Sequence, residues 1–328
     1  MKIATMQERS RLLGLTRDFF LGRDFIEADT PLLSPYLIPE SCLEVFETQY
    51  VHPYRPGFPL YLVPSPEIWI KRLIAETGRS FFQISKAFRN AESVSPIHNP
   101  EFTMLEYYSV GARAEDNVGL TEELFSALGQ KSTDKGCLPP FRRMTMKEAF
   151  EEFAGLDLDS LGEKEAMVEA LRSKELIAPR NADWEEAFNV VFLSLVEPRL
   201  PMDKPLVLGD YPAGIECLAR EKEGGKYKER WELYVRGIEV ANCYTEASSS
   251  QEVNAYFSSQ GEKKRGALVP HDIDPEYPAL FDSFPPCSGV AVGFDRLAMV
   301  LLGEENIEDV MPFPFSRFRT GGGKRTAP

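Results

Sequence analysis

The feature that most constrains the fold is a pair of strand-like segments, residues 82–92 and 98–108, joined by a short connection. In the first segment, apolar side chains at Phe82, Ile84 and Phe88 are separated by polar ones, and the second segment is rich in aromatic and other strand-forming residues. Two prolines and several turn formers lie where the segments meet, so the chain is expected to reverse direction there. The pattern predicts two adjacent antiparallel strands.

Charged side chains within these strands indicate a binding site. Arg89 lies at the end of the first segment, and Glu101 and Glu106 are embedded in the apolar second segment. With the strands paired, Arg89, Phe102 and Glu106 would lie on one sheet. Ionised groups in apolar surroundings are costly unless they are paired or bind a ligand. These residues are therefore candidates for ligand contacts.

Composition sets the broad class of protein. The 328-residue chain is 43% hydrophobic and 27% charged, which is typical of a globular protein. Its net charge of −14 argues against a broad, non-specific nucleic-acid surface. Five scattered cysteines without a Cys-x-x-Cys pair favour reduced thiols over disulfides or a zinc site. The sequence shows no signal-peptide core and no apolar run of membrane-spanning length, so we expect a cytoplasmic protein without membrane association.

Residues 98–106, His-Asn-Pro-Glu-Phe-Thr-Met-Leu-Glu, closely resemble motif 2 of the class II aminoacyl-tRNA synthetases, in the form found in the lysyl-tRNA synthetase branch. The resemblance implies an α+β fold built on an antiparallel sheet of about six strands flanked by helices. We expect a single catalytic domain over residues 1–316, a helical insertion at about 113–205, and a flexible basic tail at 317–328.

Two further segments are similar to the other class II motifs. A helix predicted over residues 6–24 and a strand over 25–33 with a proline near its end are similar to motif 1, so a homodimer is implied. Residues 287–302 predict a strand that runs into Gly293, followed by a helix. They resemble motif 3, Gly-x-Gly-x-Asp-Arg, with Ala291 where the first glycine would stand.

A helix predicted from Ile68 follows the sequence Ser-Pro-Glu at residues 65–67, and Lys71 and Arg72 are expected on its outer side. One interpretation of Glu67 is structural, since the helix dipole favours a carboxylate in the first turn. In the lysyl branch, Ser-Pro-Glu at this place holds the amino-acid substrate, and the resemblance implies that role here.

A hairpin is predicted around Arg236-Gly237, with Glu239 and Glu246 on its second strand. The two glutamates are seven residues apart and would face opposite sides of a regular strand. Both can reach one site only if the chain bulges or turns between them, and Asn242 is the expected position. The alternative is that each is a solvated strand carboxylate.

The resemblance implies ATP-dependent activation of a carboxylic acid, with Mg²⁺ bridging phosphate oxygens. Arg89 and Arg296 are the implied catalytic residues, the first on the α-phosphate and the substrate carboxylate and the second on the γ-phosphate. Phe102 would stack on adenine, and Glu239 and Glu246 would hold the metal. The implied ATP contacts are Arg89, Asn90, Glu92, Asn99, Phe102, Glu239, Val240, Gly293 and Arg296.

For the acyl substrate, the resemblance implies a diamino acid, either lysine or its isomer (R)-β-lysine. Buried carboxylates are the natural partners of two ammonium groups. Glu67 would hold the amine near the carboxylate, and Tyr108 with Glu246 the distal amine. The implied substrate contacts are Ser65, Pro66, Glu67, Glu106, Tyr108, Glu246 and Ala291.

The acceptor of the acyl group is inferred from the arrangement of the motifs. Motif 1 begins almost at Met1, so we expect no anticodon-binding domain. This arrangement resembles the elongation factor P–(R)-β-lysine ligase family, truncated relatives of lysyl-tRNA synthetase that modify a lysine of elongation factor P. Two alternatives stay open: a minimal synthetase that charges tRNA or another amine acceptor, and a catalytically inactive regulatory paralogue. The expected lack of that domain and the acidic charge argue against tRNA.

Overall fold

The computed structural model describes residues 3–132 and 134–319. The strands are β1 (Ile26–Glu27), β2 (Leu33–Ser34), β3 (Phe46–His52), β4 (Arg55–Leu62), β5 (Phe81–Phe88), β6 (Glu101–Val110), β7 (Arg142–Thr145), β8 (Leu206–Pro212), β9 (Tyr227–Val235), β10 (Ile238–Thr245) and β11 (Cys287–Gly293). The helices are α1 (Ile3–Leu21), α2 (Glu67–Thr77), α3 (Ala114–Leu128), α4 (Met146–Ala149), α5 (Lys164–Ser173), α6 (Trp184–Val191), α7 (Ser250–Lys264), α8 (Phe294–Leu302) and α9 (Ser316–Arg319).

Eight of the strands form one sheet in the order β1-β5-β6-β11-β10-β9-β8-β7. The six central strands pair antiparallel throughout, whereas β1 pairs with β5, and β7 with β8, in parallel. The predicted α+β class is confirmed, and the count of about six strands omitted the two short edge strands. Segments of two and four residues are too short to show a strand period in the sequence.

The predicted antiparallel pairing of the two segments around residues 82–108 is confirmed by β5 and β6. Lys86 lies opposite Thr103 and Ala87 opposite Phe102, so Arg89 leaves β5 next to the start of β6. Strand β11 pairs with the other side of β6. Because side chains alternate along a strand, one face of this sheet carries the buried core and the opposite face is free to carry polar groups.

The main core lies between the sheet and the helices α1, α3 and α8. Phe20 of α1 stacks on Phe82 of β5 with ring centroids 5.0 Å apart. Tyr107 of β6 also packs against the Phe20 ring. The helices α1 and α8 match the helices expected for motifs 1 and 3. Their apolar stripes cover the sheet, because burying such a stripe is the main stabilising term for an amphipathic helix.

Residues 113–205, predicted as a helical insertion, contain two different units. Helix α3 packs within the main core. A second apolar cluster is built around Phe150 and Phe188, whose rings stack at 5.0 Å, and it lies between helices α4 to α6 and strand β8. The segment also includes the edge strand β7, which the amphipathic helical pattern around it did not reveal.

Three local predictions can be compared directly with the structure. The single strand expected over residues 25–33 is wrong, because β1 and β2 are separate short strands that belong to different sheets. The hairpin at Arg236-Gly237 is confirmed, and both residues have positive φ (54° and 72°), as a tight turn between right-twisted strands requires. Of the predicted basic tail, residues 317–319 belong to α9 and residues 320–328 lie outside the described residues.

The five cysteines are all free thiols, as composition predicted. Within the described residues, no helix combines the length and the apolar character needed to cross a membrane.

Candidate active site

A cavity of about 670 Å³ opens on the face of the sheet opposite the main core. Strands β6, β9, β10 and β11 form its floor, and α6 forms part of its wall. It brings together eight of the predicted site residues: Ser65, Glu67, Arg89, Glu106, Tyr108, Glu239, Glu246 and Ala291.

One end of this cavity is anionic. It is centred on Glu106, which is only 2% exposed. Ser65 Oγ donates a hydrogen bond to Glu106 Oε1, and Tyr108 OH donates to Glu106 Oε2 at 3.2 Å. Burial and the neighbouring charge of Glu67 raise the pKa of Glu106 to about 8. A cation bound here would favour the ionised form of that carboxyl group.

Lys71 also lies at this end, which corrects the prediction that it points outward. Its side chain is fully buried, and its Nζ lies 2.5 Å from Glu67 Oε1 and 2.5 Å from Glu246 Oε2. Burial acts to lower the pKa of Lys71, but the charges of Glu246 and Glu67 outweigh that effect and raise it well above the ordinary value. The anionic end thus contains three carboxylates and one ammonium group.

Gly289 of β11 lies opposite Tyr108 of β6 in the sheet and lets these side chains approach the backbone. A Cβ atom at Gly289 would be 2.7 Å from Glu246 Oε1 and 2.8 Å from Tyr108 Cδ1, closer than real Cβ contacts allow. Ala291, two residues along, pairs with Glu106 and lines the same cavity. The floor of the anionic end therefore consists of small residues.

The second end of the cavity is cationic at Arg89, and Arg296, Phe102 and Glu92 adjoin it without lining the cavity. Arg89 extends from β5 with its guanidinium carbon 5.4 Å from the centre of the Phe102 ring, and its Nη1 is 4.0 Å from Glu92 Oε1. Arg296 in the first turn of α8 donates from Nε to the carbonyl of Ile97 at 3.0 Å and from Nη1 to the carbonyl of Glu239 at 2.8 Å. Two fixed guanidinium groups suit a phosphate-containing ligand.

Four of the residues predicted to contact ATP have structural roles in this state. Asn99 is buried, donates from Nδ2 to the carbonyl of Glu101, and accepts from Phe315 N at 2.8 Å. Asn90 donates from Nδ2 to the carbonyl of Val45 at 3.1 Å. The Val240 side chain is buried in the main core, and Gly293 caps the start of α8.

The bulge expected between Glu239 and Glu246 exists, but it lies at Val240 rather than near Asn242. The pairing of β10 with β9 shifts between Glu239 and Ala241. The extra residue turns Glu239 to the face that Asn242 and Glu246 already occupy, so all three line the cavity.

Glu232 of β9 is a candidate that the sequence reasoning missed. It faces the same cavity and accepts hydrogen bonds from Arg230 Nη2 at 2.7 Å and Tyr234 OH at 2.8 Å. Desolvation by the cavity wall and the charge of Glu232 raise the pKa of Glu239. Alternation along β9 placed Glu232 on the same face as Tyr234, but nothing in the sequence showed which face would be open.

The side chains of the site show which residues could hold a metal ion. Among the described residues, no group of three or more histidine, cysteine, aspartate or glutamate side chains is placed to hold a metal. Two neighbouring carboxylates, Glu232 and Glu239, nevertheless suit Mg²⁺, which commonly takes one or two carboxylates and completes its shell with water and phosphate oxygens. Glu246, the other predicted metal ligand, is already paired with Lys71.

Comparison with known proteins agrees with this geometry. Residues 2–317 match the family model described as tRNA synthetases class II (D, K and N). The chain is 32% identical over 315 residues to "Elongation factor P--(R)-beta-lysine ligase" of Haemophilus influenzae (strain PittGG), covering 95% of each chain. The protein of the same name from Vibrio cholerae is 35% identical over 320 residues, covering 96% of each chain.

A "Lysine--tRNA ligase" of Pelotomaculum thermopropionicum is 34% identical over 330 residues, which cover 95% of this chain and 63% of that protein. The match to the family model spans nearly the whole chain, and the relatives exceed 30% identity over most of their length. The chain belongs to the class II tRNA synthetase family that contains the D, K and N enzymes.

Proposed function

We propose that the protein activates (R)-β-lysine with ATP as an acyl-adenylate and transfers it to a lysine ε-amine of elongation factor P. The observation that carries this proposal is the division of one cavity into a cationic end and an anionic end. An amino acid with two ammonium groups and a carboxylate, lying beside a nucleotide, has the matching charge pattern. Relatives that match along about 95% of their length carry the name of this ligase.

At the cationic end, Arg89 would bind the substrate carboxylate and the α-phosphate, and Arg296 the γ-phosphate. Negative charge accumulates on the α-phosphate as the carboxylate attacks it, and preorganised guanidinium donors lower the barrier to that step. Phe102 offers a ring for adenine, and Glu92 can fix Arg89 from the side. Asn90, Asn99, Val240 and Gly293 would act by shaping the surrounding loops and strand.

For Mg²⁺, we propose Glu239 as one ligand, with Glu232 beside it. The ion would supply positive charge against the phosphates. Glu246 belongs to the amine end instead, since its carboxylate pairs with Lys71.

At the anionic end, Glu67, Glu106 and Glu246 would hold the two ammonium groups, with Tyr108 orienting Glu106. Ser65 fixes the other oxygen of Glu106, and Pro66 caps helix α2 so that Glu67 points into the cavity. In the transfer step, the acceptor lysine loses a proton and its nitrogen attacks the acyl carbon. An amide bond forms, and AMP leaves with the electrons of the acyl–phosphate bond.

A second candidate function is the charging of tRNA, which the match to a lysine–tRNA ligase favours. The acidic net charge of −14 gives less support to binding of a polyanion. Both functions share the adenylate step and differ in the acceptor. A catalytically inactive paralogue would lack that step altogether.

We also propose a homodimer that forms in the cytoplasm. Large apolar side chains are exposed along α1, β1 and β2, the region that resembles motif 1, and on the β3–β4 hairpin: Leu21, Ile26, Leu33, Tyr50, Val51, Tyr54 and Phe58. Exposed apolar side chains of this size are the kind that a protein–protein contact covers. Light scattering after size-exclusion chromatography tests the proposal, and a monomer at micromolar concentration would contradict it.

Amino-acid-dependent exchange of pyrophosphate into ATP tests the adenylate step directly. We expect exchange with (R)-β-lysine and Mg²⁺, and much weaker exchange with α-lysine. The Glu106→Gln variant is the matched control, because it removes charge from the amine end and leaves both arginines in place. If neither (R)-β-lysine nor α-lysine supported exchange, the proposed function would be refuted.

A further inference from the structure

Lys71 is a buried charge to which the proposed reaction assigns no role. Its side chain is completely shielded from solvent, in contrast to Arg72 beside it, whose side chain is 26% exposed. The lysine lies on the first turns of α2, and its ammonium group lies behind the cavity lining, against the carboxylates of the amine end. It contacts two carboxylates that stand on separate elements, Glu67 on α2 and Glu246 after β10.

The surroundings of Lys71 hold its ammonium group in place. The rings of Tyr108, Tyr244 and Phe281 lie 5.5–6.0 Å from Nζ, within the range of cation–π attraction. Tyr244 OH also donates to Glu67 Oε1 at 3.3 Å, so the carboxylate between them is held from two sides. A lysine enclosed by aromatic rings has few rotamers available, and its charge is fixed.

The carboxylates beside Lys71 keep free capacity for a ligand. Glu246 is 3% exposed, and its Oε1 has no hydrogen-bond donor among the described residues, while Oε2 faces Lys71. Glu67 retains 13% exposure of its side chain toward the cavity. Each carboxylate therefore offers an oxygen to an incoming ammonium group while the other side is held.

The net charge of the amine end matches the charge of a diamino substrate. With Glu67, Glu106 and Glu246 all ionised, the charges of these three carboxylates and of Lys71 sum to two net negative charges. A diamino acid brings two ammonium groups to this end and its carboxylate to Arg89. Without Lys71 the carboxylates would repel each other, and a buried charge without a partner is strongly unfavourable.

We propose that Lys71 is a positioning residue for the amino acid: its ammonium group fixes the carboxylates of Glu67 and Glu246 and matches the charge of the pocket to a diamino substrate. This inference rests on the proposed function, since it concerns the same amine end. Lys71 acts through the two carboxylates and takes no part in the chemical step. It therefore affects binding of the amino acid and leaves binding of ATP unchanged.

The test compares Lys71→Met with Lys264→Met in the pyrophosphate exchange assay. Lys264 is a similarly buried lysine, 2% exposed, whose ammonium group donates to the carbonyl of Leu43 rather than to a carboxylate of the amine end. We expect Lys71→Met to raise the KM for the amino acid by about 10- to 100-fold, with the KM for ATP within about twofold. Lys264→Met should lower the melting temperature and leave both KM values unchanged. Lys71→Arg, which keeps the charge, should recover part of the lost affinity.

An unchanged amino-acid KM in folded Lys71→Met would overturn the inference, as would a parallel rise in the KM for ATP. If Lys71→Met does not fold, the double variant Lys71→Met/Glu246→Gln removes the charge left without a partner. If the double variant folds and Lys71→Met does not, the result supports the inference. If neither variant folds, Lys71 serves stability only and the inference is overturned. Absence of exchange in the wild-type protein would instead refute the proposed function, so the two failures are distinguishable.

Discussion

Replacing Gly289 with alanine tests the geometry of the amine end most sharply. The new Cβ would lie 2.7 Å from Glu246 Oε1 and 2.8 Å from Tyr108 Cδ1, whereas ordinary contacts are 3.4–4 Å. Neither neighbour can move far, because Tyr108 is 4% and Glu246 3% exposed and Tyr108 pairs directly with residue 289 in the sheet. The clash must displace the two side chains that are proposed to hold the distal amine.

Overpacking a tight site typically costs about 1–3 kcal/mol. If that energy appears in the binding of the amino acid, its KM rises by roughly 10- to 200-fold. The KM for ATP should stay within about twofold, because Arg89 and Arg296, the proposed phosphate-binding residues, are not part of the amine end. Steady-state pyrophosphate exchange with varied amino acid, then with varied ATP, gives both values.

Gly119→Ala is the matched control, since Gly119 lies on helix α3 and a Cβ there meets no atom within 4 Å. Alanine should stabilise that helix by up to about 1 kcal/mol and leave both KM values unchanged. A Gly289→Ala enzyme with a normal amino-acid KM would refute the assignment of this floor to the amine. Equal losses for amino acid and ATP would show a general disturbance of the fold instead.

Four further predictions address other parts of the site. Arg89→Ala and Arg296→Ala should each reduce adenylate formation by about 10²–10³-fold without lowering the melting temperature appreciably, and near-normal exchange in either variant would contradict its catalytic role. Ala291→Gly should raise kcat/KM for α-lysine relative to β-lysine, because removing a methyl group from a tight pocket changes discrimination by about 10- to 200-fold; an unchanged ratio would exclude this residue from specificity. Glu106 has a pKa of about 8 in the folded protein, above the ordinary value of 4.5, so the folded state binds the extra proton between those values and stability should fall as pH rises through that window. Denaturant unfolding at pH 5.5 and 7.5 without amino acid should show a smaller fall for Glu106→Gln than for the wild type, and equal falls would contradict the shift. The product with elongation factor P should survive mild alkali, as an amide does, whereas label lost on such treatment would indicate an ester on tRNA.

The sequence allowed much of the sheet to be predicted, because its central strands carry clear patterns. The reversal before β6 and the hairpin at Arg236-Gly237 both have local causes, namely prolines and residues that accept positive φ. The bulge in β10 was required by the spacing of two glutamates, yet its position at Val240 depends on the pairing with β9. Register is a property of two strands, and one strand alone does not specify it.

The anionic end was harder to predict. Lys71 has the spacing of an ordinary (i, i+4) partner for Glu67, and such pairs usually lie on exposed helix surfaces. Its burial follows from Glu246, which lies 175 positions later in the chain and approaches only once β10 and α2 are packed. Glu232 was missed for the same reason, since its role depends on which face of the sheet stays open.

The most direct test of the central claim is the intact mass of elongation factor P after incubation with the protein, ATP, Mg²⁺ and (R)-β-lysine. We expect a gain equal to one lysyl residue on a single lysine of elongation factor P, which depends on ATP and is lost with Arg89→Ala. Unmodified elongation factor P in a reaction that acylates tRNA, or that consumes no ATP, would contradict the claim.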